Sequence, residues 1–112
     1  MSMSREEIAQ IFPEMVVRFL PEKAEGVNAT IQFDLAGDNG GLYWLKIANK
    51  TATVGEGKVD SPKMTIKGAA DDYAAMAQGT LNPMQAFMSG RIKIQGDMGL
   101  AMKFMSLFNT NP

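Results

Sequence analysis

The side chains with the most obvious potential for chemistry are two adjacent carboxylates, Asp71 and Asp72. Such a pair could act as acid and base or bind a divalent ion. They stand at the start of a helical pattern, however, where neighbouring side chains diverge by ~100° and do not converge on one atom. We therefore predict that they cap a helix, and the same explanation applies to Glu6 and Glu7 at the first predicted helix.

Other polar groups also have simpler explanations than catalysis. Arg91 and Lys93 could receive an anionic head group, although a solvated strand face accounts for both. Tyr43 and Trp44 fall on opposite faces of one predicted strand, and no basic groove accompanies them for stacking on bases. Four further residues lack the ligand spacing and terminal glutamate of a calcium loop: Asp34, Asp38, Asn39 and Asp60.

The composition excludes several functional classes. The chain has no cysteine and no histidine, which removes disulfides, thiolate metal sites and the commonest general base and metal ligand. A net charge of -1 provides no field for nucleic acid. No apolar run could span a bilayer, and the N-terminus carries acidic residues where a signal peptide needs an apolar core. We expect one cytoplasmic domain over residues 1–112 with no catalytic residue, metal or cofactor.

The first two thirds of the chain read as a helix followed by a sheet. A capping box at Ser4 opens the helix, and Pro13 within its pattern predicts a kink or two short helices that meet near Phe12. Alternating apolar residues then predict three antiparallel strands, at 27–35, 42–48 and 51–54. A short strand at 63–67 and a helix from Asp71 to its C-cap Gly79 complete this part of an α+β pattern.

The last part, residues 82–108, holds five of the ten methionines. Asn82 and Gly90 bracket a short helix, residues 91–95 alternate as a strand, and Asp97 caps a final helix. That final helix is apolar on two sides, whereas contact with one sheet needs only one apolar side. Either the second side contacts a partner, a membrane or a ligand, or the helix is simply a buried core helix. The flexible thioether of methionine suits a site that accepts varied apolar guests.

Three motifs in this part resemble the sterol carrier protein 2 domain family. They are Gly79-Thr80-Leu81-Asn82-Pro83, Gly90-Arg91-Ile92-Lys93-Ile94 and Gly96-Asp97-Met98-Gly99-Leu100-Ala101. Asp97 replaces the usual asparagine of the family, and Phe104 and Met105 are more apolar than its frequent Leu-Gln. The resemblance covers most of the chain, with the N-terminal helix and the strand-turn-strand section aligned less specifically.

The resemblance implies an α+β (α/β) fold, with a five-stranded, mostly antiparallel sheet covered on one side by helices that enclose an apolar tunnel. It implies a binding and transfer domain for fatty acyl chains, acyl-CoA, phospholipids or sterols, and no enzyme. The helices that line or gate the tunnel in the family, together with two sheet residues, give the expected ligand contacts: Met84, Phe87, Met88, Met98, Met102, Met105, Phe33 and Trp44.

Two alternative functions remain open at this point. One is a scaffold that presents isoprenoid or quinone intermediates to partner enzymes, and the other is a ligand-free interaction module. We expect a monomer or homodimer that makes at most transient membrane contact and binds no nucleic acid. The chain ends Asn-Thr-Asn-Pro where peroxisomal members of the family carry a Ser-Lys-Leu-like tripeptide, which favours a cytoplasmic and prokaryotic carrier.

Overall fold

The computed structural model describes residues 4–108, except for the side chain of Met105. Helices and strands follow one another in the order α1 (Arg5–Arg18), β1 (Ala29–Ala36), β2 (Gly41–Ala48), β3 (Thr51–Glu56), β4 (Met64–Ala69), α2 (Ala70–Gln78), α3 (Pro83–Met88), β5 (Ile92–Gly96) and α4 (Met98–Phe104). Short 3₁₀ turns follow α1 and α4, at Pro21–Lys23 and Met105–Leu107. The predicted order of elements is confirmed.

The five strands between residues 29 and 96 form one mixed sheet in the order β3-β2-β1-β4-β5. The β1–β2 and β2–β3 pairs are antiparallel, as predicted for the meander. The β4–β5 pair is also antiparallel, whereas β1 and β4 run parallel. The parallel pair arises because the chain leaves β3 at one edge of the sheet and re-enters beside β1. Asn49 and Lys50 join β2 to β3 with φ angles of 52° and 60°, the left-handed conformations that a type I′ hairpin turn requires.

Helix α1 is a single helix, so of the two predicted alternatives the pair of short helices meeting near Phe12 is wrong, and a kink at Pro13 stays a prediction. Pro13 lies inside α1 on its exposed side, and the neighbouring Ile8, Ile11 and Phe12 are buried. Burial of these three side chains offsets the hydrogen bond that proline cannot donate. The capping box is confirmed, because the Ser4 hydroxyl accepts from the Glu7 N–H at 3.1 Å while the Ser4 N–H donates to the Glu7 carboxylate at 2.9 Å. The hydrogen bond from the Ser4 N–H to the Glu7 carboxylate is the main reason why the pKa of Glu7 is lowered.

The two faces of the sheet differ in character. Alternate residues Ile31, Phe33 and Leu35 of β1 are buried in the apolar core, together with their cross-strand neighbours on β2 and β4. The face that carries Gln32, Trp44 and the strand lysines is called here the outer face. Because the side chains of a strand alternate between faces, a group on the outer face is separated from the core by the backbone of the sheet.

Candidate functional site

Helix α3 presents two methionines to the surface. Asn82 caps it as predicted, with its side-chain oxygen accepting from the N–H groups of Met84 at 2.8 Å and Gln85 at 3.3 Å. The helix ends one residue earlier than expected, since Ser89 is the C-cap and Gly90 follows it with a φ of 80°. Ala86 is the one residue of α3 in the core. Met84 and Met88, spaced one turn apart, lie on the opposite side of the helix.

Helix α4 has the same arrangement. Its start is fixed by Asp97, whose carboxylate accepts from the N–H of Leu100 at 3.0 Å. Leu100 and Phe104 pack into the core, one turn apart. Met98 and Met102 form the other i, i+4 pair of the helix and therefore point away from the core.

These two helices together carry an exposed apolar surface, which we call the methionine face. The part of the chain covered by the structure, residues 4–108, has seven exposed large hydrophobic side chains, and five of them form this face: Met84, Phe87, Met88, Met98 and Met102. Exposure reaches 79% at Met88 and 85% at Met102. Both helices pack against the edge strand β5, so the two halves of the face flank that edge.

The remaining expected ligand contacts lie elsewhere. Phe33 is fully buried beneath the helices, with its ring centroid 6.2 Å from that of Phe104 in α4. Trp44 is half-buried on the outer face, where its indole covers Gly55 of β3. The side chain of Met105 lies outside the described residues. Five of the eight expected residues thus lie on two helices that both contact β5, whereas Trp44 lies on the outer face of the sheet.

A cluster of aromatic rings occupies the space between the helices and the sheet. Phe12 of α1 stacks on Tyr43 at a centroid distance of 4.3 Å and lies parallel to Tyr73 of α2 at 5.8 Å. Phe33 meets the ring of Phe12 edge to face at 5.1 Å. The Tyr73 hydroxyl donates to the sulfur of Met15 at 3.2 Å, and burial raises the pKa of Tyr73 well above its usual value. A guest beneath α1 and α2 would have to displace these rings.

The carboxylates near α2 take a different role from the one predicted. The helix begins at Ala70, and its N-cap Ala69 makes no side-chain cap bond, so the prediction that Asp71 and Asp72 cap the helix is wrong. Both lie in its first turn, where their charge complements the helix dipole. Asp71 also accepts from the side-chain amide of Asn39 at 2.8 Å, which ties the β1–β2 turn to the helix. The predicted C-cap Gly79 is confirmed with a φ of 82°.

Gln32 is a structural residue that the alternating pattern of β1 concealed. Its side-chain nitrogen donates to the carbonyls of Tyr43 at 2.8 Å and Gly57 at 3.0 Å, and its side-chain oxygen accepts from the N–H of Val59 at 2.7 Å. These bonds hold the connection between β3 and β4 against the outer face. Gln32 is only 5% exposed, although its place on the polar side of the strand predicted a solvated residue.

A cleft of about 330 Å³ opens where this connection meets the start of β1 and the end of β2. It is lined by Asn28, Ala29, Thr30, Lys46, Ile47, Ala48, Ser61 and Lys63. Its wall is fixed where the Lys63 N–H donates to the Thr30 carbonyl at 2.9 Å. Thr30 and Lys46 of the lining are cross-strand neighbours on the outer face, whereas Ala29 and Ile47 lie on the opposite face, so the cleft opens at the end of the β1–β2 pair.

Within residues 4–108, His, Cys, Asp and Glu side chains form no group of three that could hold a metal ion. No helix in the same part of the chain combines the length and apolar character needed to cross a bilayer.

Comparison with protein families gives a match to the SCP-2 sterol transfer family over residues 17–109, well over half of the chain. Among curated proteins, the hydroxysteroid dehydrogenase-like protein 2 of Bos taurus is 37% identical over 86 residues. That alignment covers 76% of this chain and 21% of the bovine protein. The chain therefore spans about a fifth of the length of such relatives.

Solved structures give the same result for the fold. The solution structure of palmitated SCP2L2 from Aedes aegypti matches with a TM-score of 0.73 and 26% identity, over 93% of each chain. The sterol carrier protein domain 2 of Helicoverpa armigera matches with a TM-score of 0.65 and 30% identity, over 91% of this chain and 82% of the insect domain. The predicted α+β architecture is thus shared along nearly the whole chain.

Proposed function

Since this chain belongs to the SCP-2 sterol transfer family, we propose that it is a non-catalytic domain that binds and carries one lipid with a long apolar chain. The observation that carries this proposal is the methionine face, which holds five of the seven exposed large hydrophobic residues within residues 4–108. A concentration of exposed large apolar side chains commonly marks a binding site. Methionine is well suited to line it, because its flexible side chain adapts to guests of different shape.

The proposed contact surface consists of the methionine face together with Met105. Phe33 lies beneath α4, so a lipid chain that reaches it requires α4 to move away from the sheet. Leu100 and Phe104 hold α4 in place, and the short length of this helix keeps the apolar area lost on such a movement small. Trp44 is on the outer face and is not part of the proposed surface.

Chain length should affect affinity more strongly than head-group chemistry. Burial of roughly fifteen methylenes at ~0.8 kcal/mol each contributes about 12 kcal/mol gross. Association costs on the order of 4 to 15 kcal/mol, and the low end of that range leaves room for micromolar affinity. The palmitated state of the Aedes aegypti protein supports an acyl chain as the first ligand to test, with sterols, phospholipids and acyl-CoA as the other candidates.

The proposal is tested by displacement of a fluorescent fatty acid from wild type and from Met102→Arg. Met102 is 85% exposed, so an arginine there is compatible with the ligand-free fold. It is incompatible with a bound state in which this side chain is covered by lipid, because an unpaired charge in an apolar site is costly. We expect Met102→Arg to abolish binding and Met102→Leu, which nearly conserves volume, to retain it.

Val17→Arg is the matched control. Val17 is 84% exposed on α1, outside the methionine face, and receives the same charge at nearly the same exposure. It should bind as wild type does. If Val17→Arg and Met102→Arg lose the same amount of affinity for the fluorescent fatty acid, the methionine face is not the lipid site. The same conclusion follows if folded Met102→Arg binds the fatty acid as wild type does.

A second function is favoured by the greater length of the curated relatives. The chain covers 21% of the bovine relative, whose name describes a dehydrogenase-like protein. A domain of this kind could present an apolar intermediate, such as an isoprenoid or quinone, to an enzyme partner. A transfer assay between vesicles distinguishes the two functions: a free carrier moves lipid without other proteins, and a presenting domain requires the enzyme. The cytoplasmic location and the monomeric or homodimeric state stay part of the proposal, to be tested by cell fractionation and native mass spectrometry.

A further inference from the structure

The cleft at the end of the β1–β2 pair has two lysines in its lining, and we propose that it binds a phosphate group. Its lining provides two ammonium groups, from Lys46 and Lys63, and no carboxylate. Ser61, Thr30 and Asn28 add neutral groups that can donate hydrogen bonds. A phosphate oxygen accepts strongly from donors of both kinds.

The two lysines are available for such a ligand. Neither ammonium group has an ion pair or a hydrogen bond within the described residues. The carboxylate closest in sequence, Asp60, is exposed and is not part of the lining. Asp97 also lies near, since its N–H donates to the Lys63 carbonyl, and its carboxylate is engaged as the cap of α4. Two like charges in one cleft are each stabilised by a shared anion.

The connection that forms one wall is held in place before any ligand arrives. Gln32 binds the backbone at Gly57 and Val59, and the Lys63 N–H binds Thr30. Ser61 between these anchors has a φ of 50°, a left-handed conformation that is uncommon for a residue other than glycine. Such a conformation persists where the surrounding structure fixes it. Preorganisation of this kind lowers the entropic cost of binding.

The size and position of the cleft indicate the class of ligand. A volume of about 330 Å³ is at the small end of the range of volumes for ligand pockets and is larger than a halide ion occupies. None of the residues that line the cleft belongs to the methionine face, so its ligand is distinct from the lipid chain proposed above. The phosphate group could belong to a soluble phosphate ester or to a phospholipid head group presented by a membrane.

The test is a titration of the ¹⁵N-labelled full chain with inorganic phosphate and with glycerol 3-phosphate. The amide chemical shifts of Asn28, Thr30 and Ser61 should change on titration. The apparent affinity for phosphate should fall when sodium chloride is added, because the cleft is open to solvent and salt screens its charges. Lys46→Gln and Lys63→Gln should each weaken binding by about five- to tenfold. Lys67→Gln is the matched control, since Lys67 is an exposed lysine of β4 outside the cleft lining.

Flotation with vesicles that contain phosphatidic acid identifies the source of the phosphate group. If Lys46→Gln and Lys63→Gln reduce flotation while Lys67→Gln does not, the phosphate group belongs to a lipid head group. If Lys46→Gln and Lys63→Gln reduce the chemical-shift changes caused by glycerol 3-phosphate and the protein does not float with the vesicles, the phosphate group belongs to a soluble ester. The proposal is overturned if none of these probes acts on the cleft at millimolar phosphate. It is also overturned if all three single lysine variants weaken binding equally, because the attraction would then be the general charge of the surface.

Discussion

The single tryptophan packs directly on a glycine. A Cβ added to Gly55 would lie 2.3 Å from Cζ2 of Trp44, closer than any real contact, so alanine at this position must displace the indole. We expect Gly55→Ala to destabilise the protein by about 1–3 kcal/mol, the usual cost of overpacking. Urea unfolding followed by tryptophan fluorescence measures both the stability and the changed environment of Trp44.

A double-mutant cycle separates this clash from an effect on the strand itself. In the Trp44→Leu background, where unfolding is followed by circular dichroism because no tryptophan remains, the smaller side chain leaves room for the added methyl group, so Gly55→Ala should cost less there. If the cost is the same in both backgrounds, backbone conformation rather than the indole explains the glycine.

Tyr73 predicts a loss of stability at alkaline pH. Burial raises its pKa in the folded protein above the value of about 10 that it has in the unfolded chain. Its contribution is therefore fully present below about pH 10 and is lost as the pH rises, at up to about 1.4 kcal/mol per pH unit, because only the unfolded chain releases the proton. Tyr73→Phe should unfold with a weaker pH dependence than wild type between pH 9.5 and 11.

The comparison with Tyr73→Phe cancels the contribution of Tyr43, which both proteins contain. Tyr43 has a pKa that is also raised, first by burial and then by Glu56. Equal pH dependence in wild type and Tyr73→Phe would show that the Tyr73 hydroxyl reaches water and ionises in the folded protein.

At the scale of elements, the connection between β3 and β4 depends on one side chain. Gln32 satisfies the Gly57 carbonyl and the Val59 N–H, and Gln32→Ala leaves both without this partner. An unsatisfied buried group costs about 1–3 kcal/mol, so we expect a loss in that range and faster hydrogen exchange at Val59. Gln95→Ala, an exposed position on β5, is the control and should change stability by less than about 0.5 kcal/mol. Unchanged exchange at Val59 in folded Gln32→Ala would contradict this role.

The elements that the sequence predicted well are those whose signals are local. Alternation identified the β1–β3 meander, and Ser4, Asn82 and Asp97 marked helix starts because a cap acts within three residues. The parallel pairing of β1 with β4 depends on a contact between strands far apart in sequence, so no local pattern could reveal it. The start of α2 carried no local signal, because its N-cap Ala69 has no side chain that can cap a helix and tertiary packing sets where the helix begins.

The candidate site was only partly predictable for a related reason. Apolar periodicity showed that α3 and α4 have more apolar surface than one core contact needs. It could not say which stripe faces the core, and in the structure Leu100 and Phe104 do so while Met98 and Met102 face outward. Likewise, the alternation of β1 correctly placed Gln32 on the polar face. It could not show that the connection between β3 and β4, which is far from Gln32 in sequence, covers this side chain.

At the scale of the whole molecule, a lipid that covers the methionine face must also stabilise the fold. A ligand that binds only the native state adds about 2.7 kcal/mol to the unfolding free energy at a hundredfold excess over its dissociation constant. We expect palmitate, below its aggregation concentration, to stabilise wild type and Val17→Arg against urea but to leave Met102→Arg unchanged. Stabilisation of all three proteins would mean that the fatty acid binds away from the methionine face. No stabilisation of wild type by palmitate, a sterol or an isoprenoid would contradict the lipid site and favour a contact surface for another protein.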